Sequence, residues 1–161
     1  SSSTLEVTGL SSTYESYLIV ASYIRPSSDG PVFQLRLGDS GAIDSGASDY
    51  AYHVARINSG SGSYAASVSA GTTHIQVCPS GTDNAADSSF GMVAWLHGNG
   101  SVQPIISGET TYVQADDTSV VYGGHFVGKR HAAMVVTRVE LSPSAGTFTS
   151  GRLTVWGLKH A

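Results

Sequence analysis

Three aspartates at five-residue intervals, Asp39, Asp44 and Asp49, fall in a Gly/Ser-rich stretch, a composition that can wrap oxygens around Ca²⁺. An EF-hand is excluded, because its loop needs acceptors at alternate positions, a central Gly and a closing Glu. The alternative is that these carboxylates accept turn hydrogen bonds from backbone amides. Within the same stretch, Gly38-Asp39-Ser40-Gly41 has the form of a serine-protease nucleophile segment, yet the first histidine, His53, comes after it. The general base and its orienting Asp precede the nucleophile in that chemistry. No late Asp-x-x-His follows to serve a Gly-Asp-Ser hydrolase either. An alcohol without a base is inert, so Ser40 is expected in an ordinary turn.

Metal and thiol chemistry find little support. The histidines stand at 53, 74, 97, 125, 131 and 160, with no His-x-His or His-x-x-x-His pair to place two ligands on one face. His125 and His131 flank Gly128-Lys129-Arg130, read as a short basic turn able to touch an acidic surface. The lone Cys78 can form no internal disulfide, and its alternating context, Thr73 to Cys78, places it as a small buried thiol. Glu6, Glu15, Glu109 and Glu140 are too scattered to identify a glycosidase pair. Sugar binding without hydrolysis fits more easily. Tyr50, Tyr52, Tyr112, Tyr122 and Trp95 lie in or beside strand-like runs, and aromatic platforms beside Asp44 and Asp49 suit carbohydrate. The ligand-binding set expected from sequence is therefore Asp44, Asp49, Tyr50, Tyr52 and Tyr112, with no metal and no cofactor.

The elements that must hold these residues are strands. Apolar residues recur with period two, and Val, Ile, Tyr and Thr runs alternate with Gly, Ser, Asp and Pro clusters. The pattern predicts strands at Thr4–Thr8, Ser16–Ile24, Val32–Leu37, Tyr50–Ile57, Thr73–Cys78, Phe90–His97, Gln103–Ile106, Thr110–Gln114, Ser119–Tyr122, His125–Val127, Ala132–Leu141 and Arg152–Trp156. Gly38–Asp49, Ser59–Ala70 and Pro79–Ser89 read as loops, since none carries a helical apolar stripe. Serial strands without intervening helices predict an all-β antiparallel sandwich, jelly-roll-like, formed as a single domain over residues 1–161. In Tyr17 to Ile24 both alternating sets are apolar, which points to an outer face covered by another chain and hence to oligomerisation.

Composition narrows the partners. Of 161 residues only 12% are charged, about half the usual share, while 40% are hydrophobic, so the chain is not disordered. Eight Lys plus Arg against twelve Asp plus Glu leave a net charge of −4 and no basic run, which argues against nucleic acid. No apolar stretch reaches the ~20 residues of a membrane span, and the Ser1-Ser2-Ser3-Thr4 start is unlike a secretory signal.

Several landmarks resemble small β-sandwich domains in virion proteins of tailed bacteriophages. They are the opening Val7 to Ile19, then Ile24-Arg25-Pro26, Asp29-Gly30 and Phe33 to Leu37. The loop Asp44-Ser45-Gly46-Ala47-Ser48-Asp49-Tyr50 is similar to the family's D-S-G-x-S-x-Y segment, and Ser150 to Leu158 to its closing S-G-x-I-x-L-Y-G strand. The resemblance implies a non-enzymatic virion surface protein, a homo-oligomer and by analogy a trimer. Its partners would be itself, phage capsid or tail proteins, and host-surface polysaccharide. Strand-like sequence begins by Thr4, so a complete chain would decorate the capsid directly. An excised domain would be a receptor-binding fibre or spike tip, and composition alone also fits a lectin-like module.

Overall fold

A computed structural model describes residues 1–159; His160, one of the histidines weighed above, lies outside them. Alternation builds the strands as expected: in β3 (Phe33–Gly38) Phe33, Leu35 and Leu37 turn inward while Gln34 and Arg36 face out. The others are β1 (Leu5–Thr8), β2 (Ser16–Pro26), β4 (Tyr50–Asn58), β5 (Tyr64–Thr72), β6 (Ile75–Gln76), β7 (Phe90–His97), β8 (Ile105–Gln114), β9 (Asp117–Arg130), β10 (Arg138–Pro143) and β11 (Phe148–Leu158). No helix occurs among the described residues.

The strands form two antiparallel sheets, a four-stranded one in the order β1-β10-β3-β6 and a seven-stranded one in the order β11-β2-β7-β8-β9-β4-β5. The chain changes sheet at most connections, as a jelly-roll-like sandwich requires. One hydrophobic cluster fills the space between them. Phe33 packs edge-to-face on Phe90 with ring centroids 4.6 Å apart, and Phe90 leads through Tyr112 to Tyr122. Cys78 is fully buried beneath this layer, close to the Phe33 amide at 3.0 Å. Burial pushes its thiol up to about 12, so it is a packing residue as expected.

Sequence reading breaks two strands that the structure keeps whole. β8 runs through Gly108 and β9 through Gly123 and Gly124. A Cβ at Gly108 would sit 2.5 Å from the Val93 carbonyl oxygen, and one at Gly124 would sit 2.7 Å from that of Ala55. Those glycines mark close backbone approach between strands rather than turns. The segment Gly128-Lys129-Arg130, read as a basic turn, is the end of β9.

Two further corrections concern extent. Ser59–Ala70 was expected to be a loop, yet Tyr64–Thr72 forms edge strand β5, paired with β4 from Ile57↔Tyr64 to Tyr50↔Thr72. Its Ala and Ser side chains carry no strong alternation, because an edge with little covering buries little. Of Ala132–Leu141 only Arg138 onward is strand. The preceding loop is held by Asn99, whose Oδ1 accepts the Val136 amide at 2.6 Å.

Candidate functional site

The seven-stranded sheet turns its inner face to the core and leaves its outer face open. In β7 the inward residues are Phe90, Met92, Ala94 and Leu96, so Val93, Trp95 and His97 must point out. Strand register then aligns one outward residue from every strand in a single cross-sheet row. It reads Trp156, Leu18, Trp95, Ser107, Val127, His53, Val68. Six inter-strand spacings make this row roughly 29 Å long. Trp95 and Trp156 are 40% and 48% exposed and Val68 70%, so most of the row is apolar surface in water. The doubly apolar run in β2 now has its explanation. Tyr17, Ile19 and Ala21 are core, whereas Leu18 and Val20 belong to this outer face.

The next row is mixed: Val20, Val93, Glu109 and His125 stand in register across β2, β7, β8 and β9. Rings of His125 and His53 lie 5.8 Å apart. One row further, Gly91, Thr111 and Gly123 provide little bulk, and the sheet surface dips between Tyr23 on β2 and Ile57 on β4, which is 58% exposed and pairs with Tyr64 on β5. Tyr23 is the only non-glycine residue with positive φ among those described, at 55°, and it is 81% exposed. It sits in a bulge, since β2 pairing with β7 skips from Ala21↔Met92 to Ile24↔Phe90.

The residues singled out from sequence lie elsewhere. Asp44 and Asp49 converge on one guanidinium: Arg130 Nε is 2.7 Å from Asp44 Oδ2, and its Nη2 is 3.2 Å from Asp49 Oδ1. Burial opposes the charge on Arg130, but the hydrogen bond and charge of Asp44 together with Asp49 outweigh it and raise its pKa. Asp49 Oδ2 also accepts the Gly46 amide at 2.6 Å. Asp39 closes a separate turn by accepting the Gly41 amide at 2.7 Å, with Ser40 exposed at its tip. A cation of the protein's own thus occupies the place between Asp44 and Asp49. Accordingly, a chelator or millimolar Ca²⁺ should leave Tm unchanged, whereas Arg130→Gln should cost about 2 kcal/mol in a urea melt. A Tm that rises with Ca²⁺ would contradict this assignment.

Tyr50 and Tyr112 are only 0% and 1% exposed and cannot stack on a sugar. Tyr50 bonds backbone groups of Leu37 and Asp44, and the Tyr112 hydroxyl lies 3.0 Å from Ser80 Oγ. Tyr122 is likewise core, with Arg56 stacked 3.9 Å above its ring. Tyr52 is half-buried and donates to Gln76 Oε1 at 2.9 Å. The exposed aromatics of the seven-stranded sheet are instead Trp95, Trp156, Tyr23 and Tyr64. Of these only Trp95 was singled out from sequence. Pairing of both β11 and β7 with β2, which no local pattern announces, brings Trp156 into the same row, with Leu18 between the two tryptophans.

Comparison of the chain with protein-family models, with curated proteins and with solved structures finds no match.

Proposed function

We propose that the chain is a non-enzymatic surface protein of a tailed-bacteriophage virion, decorating the capsid as a symmetric oligomer through the outer face of its seven-stranded sheet. The observation that carries this reading is the cross-sheet row of Trp156, Leu18, Trp95, Val127 and Val68. Ser107 and His53 interrupt the row, yet exposed apolar side chains gathered on one face are the kind of surface that marks an interface. Aromatics are the residues most enriched at interface cores, and the row contains both tryptophans of the chain. Of the side chains weighed for catalysis, Cys78 is core and Asp39 closes the Asp39-Ser40-Gly41 turn. That favours work done by a surface. The phage assignment rests on the sequence landmarks and their order.

Electron imaging of particles that carry the protein tests the proposal. Copies at regular lattice positions on the shell, with the tryptophan row against a neighbouring subunit, are expected. Copies confined to fibre tips, or none on the particle, would overturn it.

A further inference from the structure

Beyond that reading, we propose that the free edge of β5 pairs with the same edge of a second copy, antiparallel about a two-fold axis at Ala66, so that the seven-stranded sheets of two chains become continuous. β5 ends its sheet and bonds only β4. At the end of β4 the Asn58 amide donates to the Ser63 carbonyl at 3.0 Å, on the β5 side, while the Ser59 amide donates to the Val121 carbonyl at 3.0 Å, on the β9 side. Alternation carries that sense back along the unbroken register, so Val54 and Arg56 turn their N–H and C=O groups to β5, and Ala55 and Ile57 turn theirs to β9. Ala65 and Ser67 answer β4. Tyr64, Ala66 and Val68 therefore aim their amides and carbonyls away from the sheet, where no strand meets them. Past Val68 the edge closes: β5 bulges before Thr72, His131 Nε2 lies 3.0 Å from the Ala70 carbonyl, and Ser69 Oγ donates to that of Gly71.

The composition of this edge is the second, independent observation. Sheets that must stay alone blunt their edges with charge, proline, bulges or brevity. The other three edges do so: β6 has two residues, β1 has four and carries Glu6, and β11 carries Arg152 and two register shifts. From Tyr64 to Thr72, β5 has neither charge nor proline. Its polarity also runs against a solvated edge, since Tyr64, Ala66 and Val68 are exposed on the outer face while Ser67 and Ser69 turn inward and are half-buried. Such a strand suits a sheet that continues.

Self-complementarity selects the occupant. A two-fold axis at Ala66 sets Tyr64 of each chain opposite Val68 of the other, an aromatic and β-branched pair of the kind that stabilises antiparallel ladders. The six outward residues exchange about six backbone hydrogen bonds, and every residue brought opposite another is uncharged. The apolar row, which ends at Val68, then runs on into the row of the other chain. Pairing of β5 with β11 of a second copy would instead be head-to-tail and would polymerise without closing. One strand pair is a small contact, so its Kd is about 1 mM, and it fills where copies are crowded, as on a shell.

The test uses the Trp95→Glu chain at about 1 mM, whose outer face carries a charge against assembly, so that failure here and failure of the outer-face reading are separate results. Ala66→Cys sets two thiols across the axis, where the Cα atoms of a hydrogen-bonded pair stand about 5.5 Å apart, within reach of a disulfide. Cys78 is buried and does not compete. Oxidation should give a linked dimer on a non-reducing gel about tenfold faster than for Val102→Cys, an exposed position in the loop after β7. Ala66→Pro removes an outward amide, so diffusion measured by NMR should return to the monomer value while Tm holds within about 2 °C. Ser67→Pro removes a ladder amide instead and should lower Tm by roughly 6–12 °C. Equal linking at both cysteines, association unchanged by Ala66→Pro, or equal loss of Tm in the two proline variants would overturn the proposal.

Discussion

Trp95→Glu should convert the proposed oligomer to monomers without unfolding the chain. Trp95 lies on the outer face of β7, at the centre of the apolar row, and its inward neighbours Ala94 and Leu96 keep their core contacts in the variant. Burying an unpaired carboxylate at an interface costs about 4 kcal/mol, roughly a thousandfold in Kd. Sedimentation at a concentration where the wild-type chain is fully assembled would show the change directly. Val102→Glu is the control, because Val102 is 54% exposed in the loop after β7 and lies off the row. It should assemble normally. Equal loss of assembly in both variants would mean that charge in general, rather than this row, controls association.

The largest effect on stability should come from a single oxygen. Tyr50→Phe is expected to lose about 2–3 kcal/mol, a Tm lower by roughly 5–10 °C. β6 pairs only with Gln34 and Leu35, so the β3 edge beyond them has no neighbouring strand. The Tyr50 hydroxyl takes over that role inside the core: it accepts the Leu37 amide at 2.9 Å and lies 2.9 Å from the Leu37 carbonyl and 3.1 Å from that of Asp44. Burial pushes the phenol pKa well above its ordinary value, so the proton needed for donation stays in place. Phenylalanine would fill the same volume and leave the buried Leu37 N–H without a partner. Tyr64→Phe, at an exposed position, should be neutral in the same melt. A Tyr50→Phe variant as stable as wild type would show that water or a shifted loop replaces the hydroxyl.

These expectations also show how the sequence divides between what it reveals and what it hides. Alternation located β2, β3, β4 and β7 to within about two residues, because each has one face on the core; the period of two is unbroken in β3 and β7 and slips only at the Tyr23 bulge of β2 and at the buried pair Val54 and Ala55 of β4. It failed at β5, whose small side chains bury little, and at Gly108, Gly123 and Gly124, where glycine reports a close neighbour rather than a turn. The same parity says that Tyr50 and Val54 share a face but not which face is wet. Tyr50 and Tyr112 therefore read as binding residues in the sequence although both are core. Trp95 and Trp156 become neighbours of Leu18 only through pairings that join strands distant in the chain. The backbone of Tyr23 is invisible for another reason: nothing in Ala21-Ser22-Tyr23-Ile24 calls for positive φ at a tyrosine, and the bulge exists only in the context of β7 and β11. Asp39, Asp44 and Asp49 stand out as three evenly spaced carboxylates, but Arg130, which the last two share, lies far along the sequence.

The tryptophans make the central claim directly measurable. The chain has two, both on the outer row, so tryptophan emission excited at the red edge, where the tyrosines do not absorb, reports that surface alone. Acrylamide quenching should be measured on the dilute monomer and on the assembled protein, with mass read by light scattering on the same samples. If the row is the interface, emission shifts to shorter wavelength and quenching falls as assembly proceeds. Emission and quenching that stay at their monomer values in a fully assembled sample would contradict the account and place the interface on another face.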